Sequence, residues 1–105
     1  MNAPVLTKPY DVEAIRAQFP ILAQTVYGKP LVYLDNAASS QKPRAVIDAM
    51  VSCMETGYAN VHRGLHFMAN AATEGFEGAR ETTRQFLNAG STDEIIFTRN
   101  ATEAY

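Results

Sequence analysis

Glu94-Ile95-Ile96-Phe97-Thr98, followed without a break by Arg99-Asn100-Ala101-Thr102-Glu103-Ala104, is the stretch that decides the fold class. Its continuous apolar centre of β-branched and aromatic residues reads as a brief strand, 94–98, covered on both faces. Asn100 then stands where a helix cap is expected, with small and polar residues in the turn after it. A strand that runs straight into a helix opens a βα unit, so the fold class is α/β. The junction also carries chemistry. The first N–H groups of a helix have no intrahelical partner, and with the aligned dipole they favour an anion by roughly 0.3–1 kcal/mol per interaction. Thr102 adds a hydroxyl, and Ala101 and Ala104 are small enough to let a phosphate come close. From these residues alone, a phosphate seat and a plain helix cap both remain open.

Upstream of this junction the longest helix is expected over 67–87. Met68, Ala72, Phe76, Ala79, Thr83 and Leu87 follow a 3.6-residue period and read as its core face. Glu77, Glu81 and Arg84 fall on the solvent side, with Arg80 within reach of Glu77. Asn88-Ala89-Gly90 supplies the stop. Before the helix lies Val61-His62-Arg63-Gly64-Leu65-His66, read as a loop with two imidazoles four residues apart and a guanidinium beside one of them. Gly64 between the histidines and the lack of a third ligand at suitable spacing argue against zinc. The guanidinium of Arg63 offers a planar fork suited to a small carboxylate, although pairing with a surface acid is equally open.

A second helix is expected over 43–56, opened by Pro43 and closed by Gly57, with Val46, Met50 and Met54 on one stripe and Ile47 and Val51 beside it. The single cysteine, Cys53, sits within it and reads as a small core residue, since it has no partner for a disulfide and no metal-ligand neighbour. Before this helix, Leu34-Asp35-Asn36-Ala37-Ala38-Ser39 is a turn of small residues after a β-prone stretch, where short side chains leave room for a ligand to meet the backbone. Lys42 is an exposed residue at a helix entry, with no buried setting around it. Two short strands, 25–27 and 31–34, are expected around a turn at Gly28-Lys29-Pro30. A helix over 12–19, capped by Asp11, ends at Pro20, and residues 1–10 read as a flexible leader to an 11–105 domain portion.

Composition sets the outer bounds. The chain has 105 residues, 47% of them apolar and 19% charged, which is ordinary for one small globular unit. A formal charge of −2, with no run of basic residues, argues against nucleic acid as a partner. No apolar run approaches the ~20 residues of a membrane helix, and the N-terminus has no signal or transit character, so a cytoplasmic protein is expected.

Three blocks in order, Asp35-Asn36-Ala37-Ala38, Val61-His62-Arg63-Gly64-Leu65-His66 and Arg99-Asn100-Ala101-Thr102-Glu103-Ala104, resemble the N-terminal quarter of a cysteine desulfurase of the SUF type, in the class V aminotransferase family. The resemblance runs from about residue 12 to 105. It implies the N-terminal part of a fold type I transferase that uses pyridoxal 5′-phosphate (PLP), with helices around the start of a mixed sheet. It also implies PLP phosphate binding by Ala101 and Thr102, and substrate binding by Ala37, Ala38, His62 and Arg63. The activity implied is conversion of L-cysteine to L-alanine, leaving a persulfide on the enzyme for iron–sulfur cluster assembly. A homodimer and a sulfur-acceptor protein are the partners implied, and selenocysteine lyase activity is a close neighbour. In the family the Schiff-base lysine and the sulfur-accepting cysteine lie further along, so neither Lys42 nor Cys53 takes those roles. The 105 residues alone are expected to be a truncated, inactive portion with no metal site. The reading from a different class is a stand-alone, non-catalytic module that binds a ligand or a partner protein.

Overall fold

The structure is a computed structural model that describes residues 9–62 and 64–105. The chain divides after Ser52 into two compact units. The first opens with α1 (Val12–Arg16), capped by Asp11, whose carboxylate accepts the Ala14 N–H at 3.0 Å. This helix is shorter than the 12–19 expected. Pro20 disfavours helical backbone in the residue before it, and Phe19 is extended at φ −108° and ψ 99°. The chain therefore tightens through i→i−3 bonds, Gln18 to Ile15 and Phe19 to Arg16, and enters a 3₁₀ turn at Pro20–Ala23.

A hairpin follows, with β1 (Thr25–Val26) antiparallel to β2 (Lys29–Pro30) and Thr25 opposite Pro30. The second strand lies earlier than the expected 31–34. Tyr27 and Gly28 form a two-residue turn with φ of 52° and 76°, and a turn with both central φ values positive matches the twist of the strands it joins. Leu31 adds one bond, its N–H donating to the Gln24 carbonyl at 3.0 Å. Residues 31–34 lie outside any strand, and Val32 and Leu34 are exposed.

Helix α2 (Arg44–Thr56) begins directly after Pro43, whose carbonyl accepts the Val46 and Ile47 N–H groups. It ends as the Gly57 N–H closes on the Cys53 carbonyl at 2.9 Å. Cys53 is exposed, which corrects its reading as a core residue: the stripe around it is bare, with Met50, Val51 and Met54 all exposed as well.

The second unit is built on α3 (Phe67–Leu87), whose limits match the expectation. Its N-cap is His66, with Nδ1 accepting the Ala69 N–H at 3.2 Å. Its C-cap is Asn88, left-handed at φ 55°, with the Ala89 N–H returning to the Arg84 carbonyl at 3.0 Å. After a 3₁₀ turn at Thr92–Glu94, residues 95–98 run without strand pairing; among the described residues the only sheet is β1–β2. The strand expected over 94–98, buried on both faces, is thus corrected. Ile95 is buried whereas Ile96 is 79% exposed, the alternation of a segment covered on one side.

The covered face of α3 also differs from the one its periodicity indicates. Met68, Phe76 and Leu87 are exposed, while the side chains of Arg80 and Arg84 retain only 21% and 27% of their accessibility. Arg80 is sheltered because its guanidinium lies over the rings of Phe76 and Phe97, and Arg84 because it donates to the Ala89 carbonyl at 2.9 Å. The buried core among the described residues is Ala69 and Ile95. No helix among them is long and apolar enough to cross a membrane.

Candidate functional site

In the first unit the turn at 35–41 is held from several directions. The Asp35 carbonyl accepts the N–H groups of Ala38 and Ser39, both at 3.1 Å. Asn36 Oδ1 accepts the Gln41 N–H at 3.0 Å, and Tyr33 Oη donates to the Ser39 carbonyl at 2.7 Å. With polar groups thus used inside the turn, the methyl groups of Ala37 and Ala38 remain exposed. Behind the turn a cleft of about 360 Å³ is lined by Ile15, Phe19, Leu22, Tyr33 and Gln41, which ties the turn to α1. Lys42 is exposed, its Nζ donating to the Ser40 carbonyl at 2.8 Å.

In the second unit His62 has a left-handed backbone, φ 61°, and its N–H donates to Thr73 Oγ1 at 3.0 Å. That hydroxyl in turn donates to the Ala69 carbonyl at 2.9 Å, so a side chain one turn into α3 fixes the loop backbone. The imidazole is fixed separately. Its Nε2 lies 3.0 Å from Glu77 Oε1, and its edge meets Phe76 at 6.0 Å and 90°. The other Glu77 oxygen accepts from Arg80 Nε at 3.0 Å. Partial shielding from water acts to raise the Glu77 pKa, but the hydrogen bonds from Arg80 and His62 outweigh it and hold the carboxyl below its ordinary range. An ionised carboxylate only accepts, so His62 Nε2 carries the proton and Nδ1 is the ring nitrogen left over. Gly64 is confined by its neighbours: a Cβ there would lie 2.7 Å from the Ala69 Cβ. Arg63 lies outside the described residues.

The two histidines do not converge on a metal. His66 is committed to its cap and His62 to Glu77, and among the described residues no group of three metal-ligating side chains occurs.

The third block starts α4 (Ala101–Ala104). Asn100 is extended, its Oδ1 accepts the Glu103 N–H at 2.8 Å, and its carbonyl accepts the Ala104 N–H at 3.1 Å. The N–H groups of Ala101 and Thr102 have no acceptor among the described residues. Glu103 would oppose an anion here, but its carboxylate is taken by Arg99, accepting from the backbone N–H at 3.0 Å and from Nε at 2.8 Å. The Arg99 guanidinium bond, then the Arg99 N–H, hold the Glu103 pKa below its ordinary range. Thr102 and Ala101 are exposed and, with Tyr105, line an open depression.

His62 is thereby linked to the segment leading into α4. Arg80, bound to Glu77, also donates through Nη1 to the Ile95 carbonyl, and Phe76 meets Phe97 edge to face at 5.3 Å. Ala37 and Ala38 belong to the first unit and His62, Ala101 and Thr102 to the second. The helical period places Glu77 on the solvent side with Arg80 within reach of it. Their three-residue spacing marked the pair, but nothing local marked the imidazole that joins it.

The profile of the family described as Aminotransferase class-V matches residues 32–105. The chain is 57% identical over 95 residues to a probable cysteine desulfurase of Streptomyces coelicolor, which covers 90% of this chain. It is 50% identical over 94 residues to a cysteine desulfurase of Serratia proteamaculans and 56% identical over 94 residues to a probable cysteine desulfurase of Vibrio cholerae, each again covering 90% of this chain. In all three cases the chain spans 23% of the relative's length.

Proposed function

Because the chain belongs to the class V aminotransferase family, we propose that it forms the N-terminal portion, residues 11–105 behind a short leader, of a cysteine desulfurase of the SUF type. Its substrate is L-cysteine and its product L-alanine, with the sulfur left on a thiol of the same enzyme. The observation that carries this reading is the start of α4. Two N–H groups without acceptors among the described residues, a hydroxyl beside them and a neighbouring acid paired with Arg99 make a donor set that fits a phosphate.

Ala101 and Thr102 would hold the phosphate of PLP there. PLP, when bound, supplies the electron sink that lets bonds at the amino acid's α- and β-carbons break. This chain's residues bind and orient. Ala37 and Ala38, exposed and small, are assigned to the substrate's carboxylate, and His62 and Arg63 are assigned to substrate binding by the family resemblance. Neither Cys53, in the last turn of α2 and away from its N-terminus, nor Lys42, tied to its own turn, has a setting that activates a nucleophile. The complete protein is read as a fold type I homodimer in the cytoplasm, passing sulfur to an acceptor protein for iron–sulfur cluster assembly.

The complete protein should release alanine from cysteine in a PLP-dependent manner, and His62→Ala should raise the cysteine concentration it requires while leaving PLP absorbance in place. Selenocysteine as the better substrate by kcat/KM would replace the reading by a lyase. The 105 residues alone should release no alanine above a PLP-only control, and release above it would refute the assignment of the nucleophile and lysine to other segments.

A further inference from the structure

We propose that Glu77 is a positioning residue for His62: its carboxylate, anchored by Arg80, holds the imidazole through Nε2–H and leaves Nδ1 as the atom offered to substrate. The inference rests on the reading of His62 as a substrate-binding residue.

Three contacts meet at His62, and Arg80 braces the acid behind them. Glu77 divides its two oxygens, one 3.0 Å from His62 Nε2 and the other 3.0 Å from Arg80 Nε, so neither partner can turn without losing the acid. Phe76 stands against the imidazole edge and prevents it from swinging away along the helix. The His62 N–H is fastened independently to Thr73, which fixes the Cα from which the ring projects. Arg80 reaches past Glu77 to the Ile95 carbonyl and lies over Phe97, so the clamp is braced against the segment that continues to Thr102. A side chain that is 54% exposed and has a left-handed backbone would otherwise sample several rotamers. Among the described residues one ring nitrogen has a partner, Glu77, and the other has none, which is the arrangement that fixes a histidine's tautomer.

Two measurements test this. In the complete protein, Glu77→Ala should raise the KM for cysteine about tenfold with kcat within about twofold of the parent, and the double variant with His62→Ala should be no worse than His62→Ala alone. Glu77→Gln keeps the volume and one acceptor and should fall between. In the complete protein labelled at histidine, the His62 ring protons, assigned by their loss in His62→Ala, should be displaced by the Phe76 ring, and both Glu77→Ala and Phe76→Leu should return them toward the random-coil position.

A raised KM in His62→Ala beside an unchanged KM in Glu77→Ala overturns the positioning role, as does an additive double variant. Ring-proton shifts that survive Glu77→Ala, or that are random-coil in the parent chain, overturn the clamp itself. If His62→Ala leaves KM unchanged, the substrate reading fails, and the ring-proton shifts still decide whether Glu77 holds His62.

Discussion

Replacing Arg80 by methionine keeps an unbranched stem against Phe76 and removes the guanidinium. Four contacts are lost: the hydrogen bonds to the Ile95 carbonyl and to Glu77, the cation over Phe76 at 5.3 Å and the cation over Phe97 at 4.9 Å. A hydrogen bond from a charged donor contributes about 1.5–3 kcal/mol and each cation–π contact about 0.5–1 kcal/mol at such a site. Only the contacts to Ile95 and Phe97 hold the 94–99 segment, the other two lying within α3, and a loss of about 2–4 kcal/mol follows for that segment. At 1.36 kcal/mol per tenfold, the open form of the 94–99 segment becomes about 30 to 900 times more populated. The helix should survive, since α3 is held by its own i→i−4 bonds and by caps at His66 and Asn88. Segment-resolved hydrogen exchange then shows fast amides over 94–99 while far-UV circular dichroism keeps its helical signal. Arg80→Lys retains the charge but not the planar fork, and should recover less than half of the lost protection. Unchanged exchange over 94–99 in Arg80→Met, or full recovery by lysine, would refute the assignment of this segment to the guanidinium.

Thr102→Val, which keeps the shape and removes a donor, should weaken PLP retention in the complete protein by about 0.5–1.5 kcal/mol, or up to ~3 if the bond to phosphate is fully desolvated; dialysis followed by absorbance measures it, and undiminished retention rules Thr102 out as a phosphate ligand. Hydrogen bonds from Arg84 and then Gln85 bring the Glu81 pKa down from 4.5 to about 2. A depressed folded-state value means that the stability this acid supplies is complete above its unfolded value and is lost as pH falls from about 4.5 toward 2. Denaturant melts across that range should show a decline that Glu81→Gln flattens, and parallel profiles would contradict the pairing. Asn88→Ala forces a Cβ without a compensating amide into the left-handed cap and should cost about 1 kcal/mol, whereas Asn88→Gly should be neutral or slightly stabilising in the same melts. The bare stripes of α2 and α3 should make the 105-residue chain associate as its concentration rises, so a monomeric profile in light scattering at all concentrations would be inconsistent with them.

What the sequence made legible follows from how local its causes are. Helix α3 was readable to its last residue because a sustained 3.6-residue period ends at Asn88, and α2 because Pro43 and Gly57 punctuate it. The start of α4 was readable because a cap needs only Asn100 and the residue three positions on. The hairpin was misregistered since Tyr27, not a glycine, takes the first left-handed position of the turn. The 94–98 stretch has strand composition, but a strand also needs a neighbour, and none pairs with it among the described residues. The covered face of α3 is shifted toward Arg80 and Arg84, with Ala72 and Thr83 half-buried as their period indicates: periodicity ranks Arg80 as polar, while its flat cation lies over the rings of Phe76 and Phe97. Likewise His62 and Glu77 are separated by fifteen residues, a pairing no local rule indicates.

That same separation bears on the order in which the chain acquires its structure. The His62–Glu77 and Arg80–Ile95 links each span 15 residues, one reaching back from α3 and the other forward. Closing loops of that length costs little more than closing much shorter ones, and nuclei made of near-neighbour contacts form fastest. The clamp around α3 can therefore assemble from residues 62–97 alone, as soon as they leave the ribosome, without waiting for any partner strand. On the proposed reading, the segment that leads to the cofactor's phosphate seat is fastened to the helix that holds His62 long before the cofactor has a site to enter.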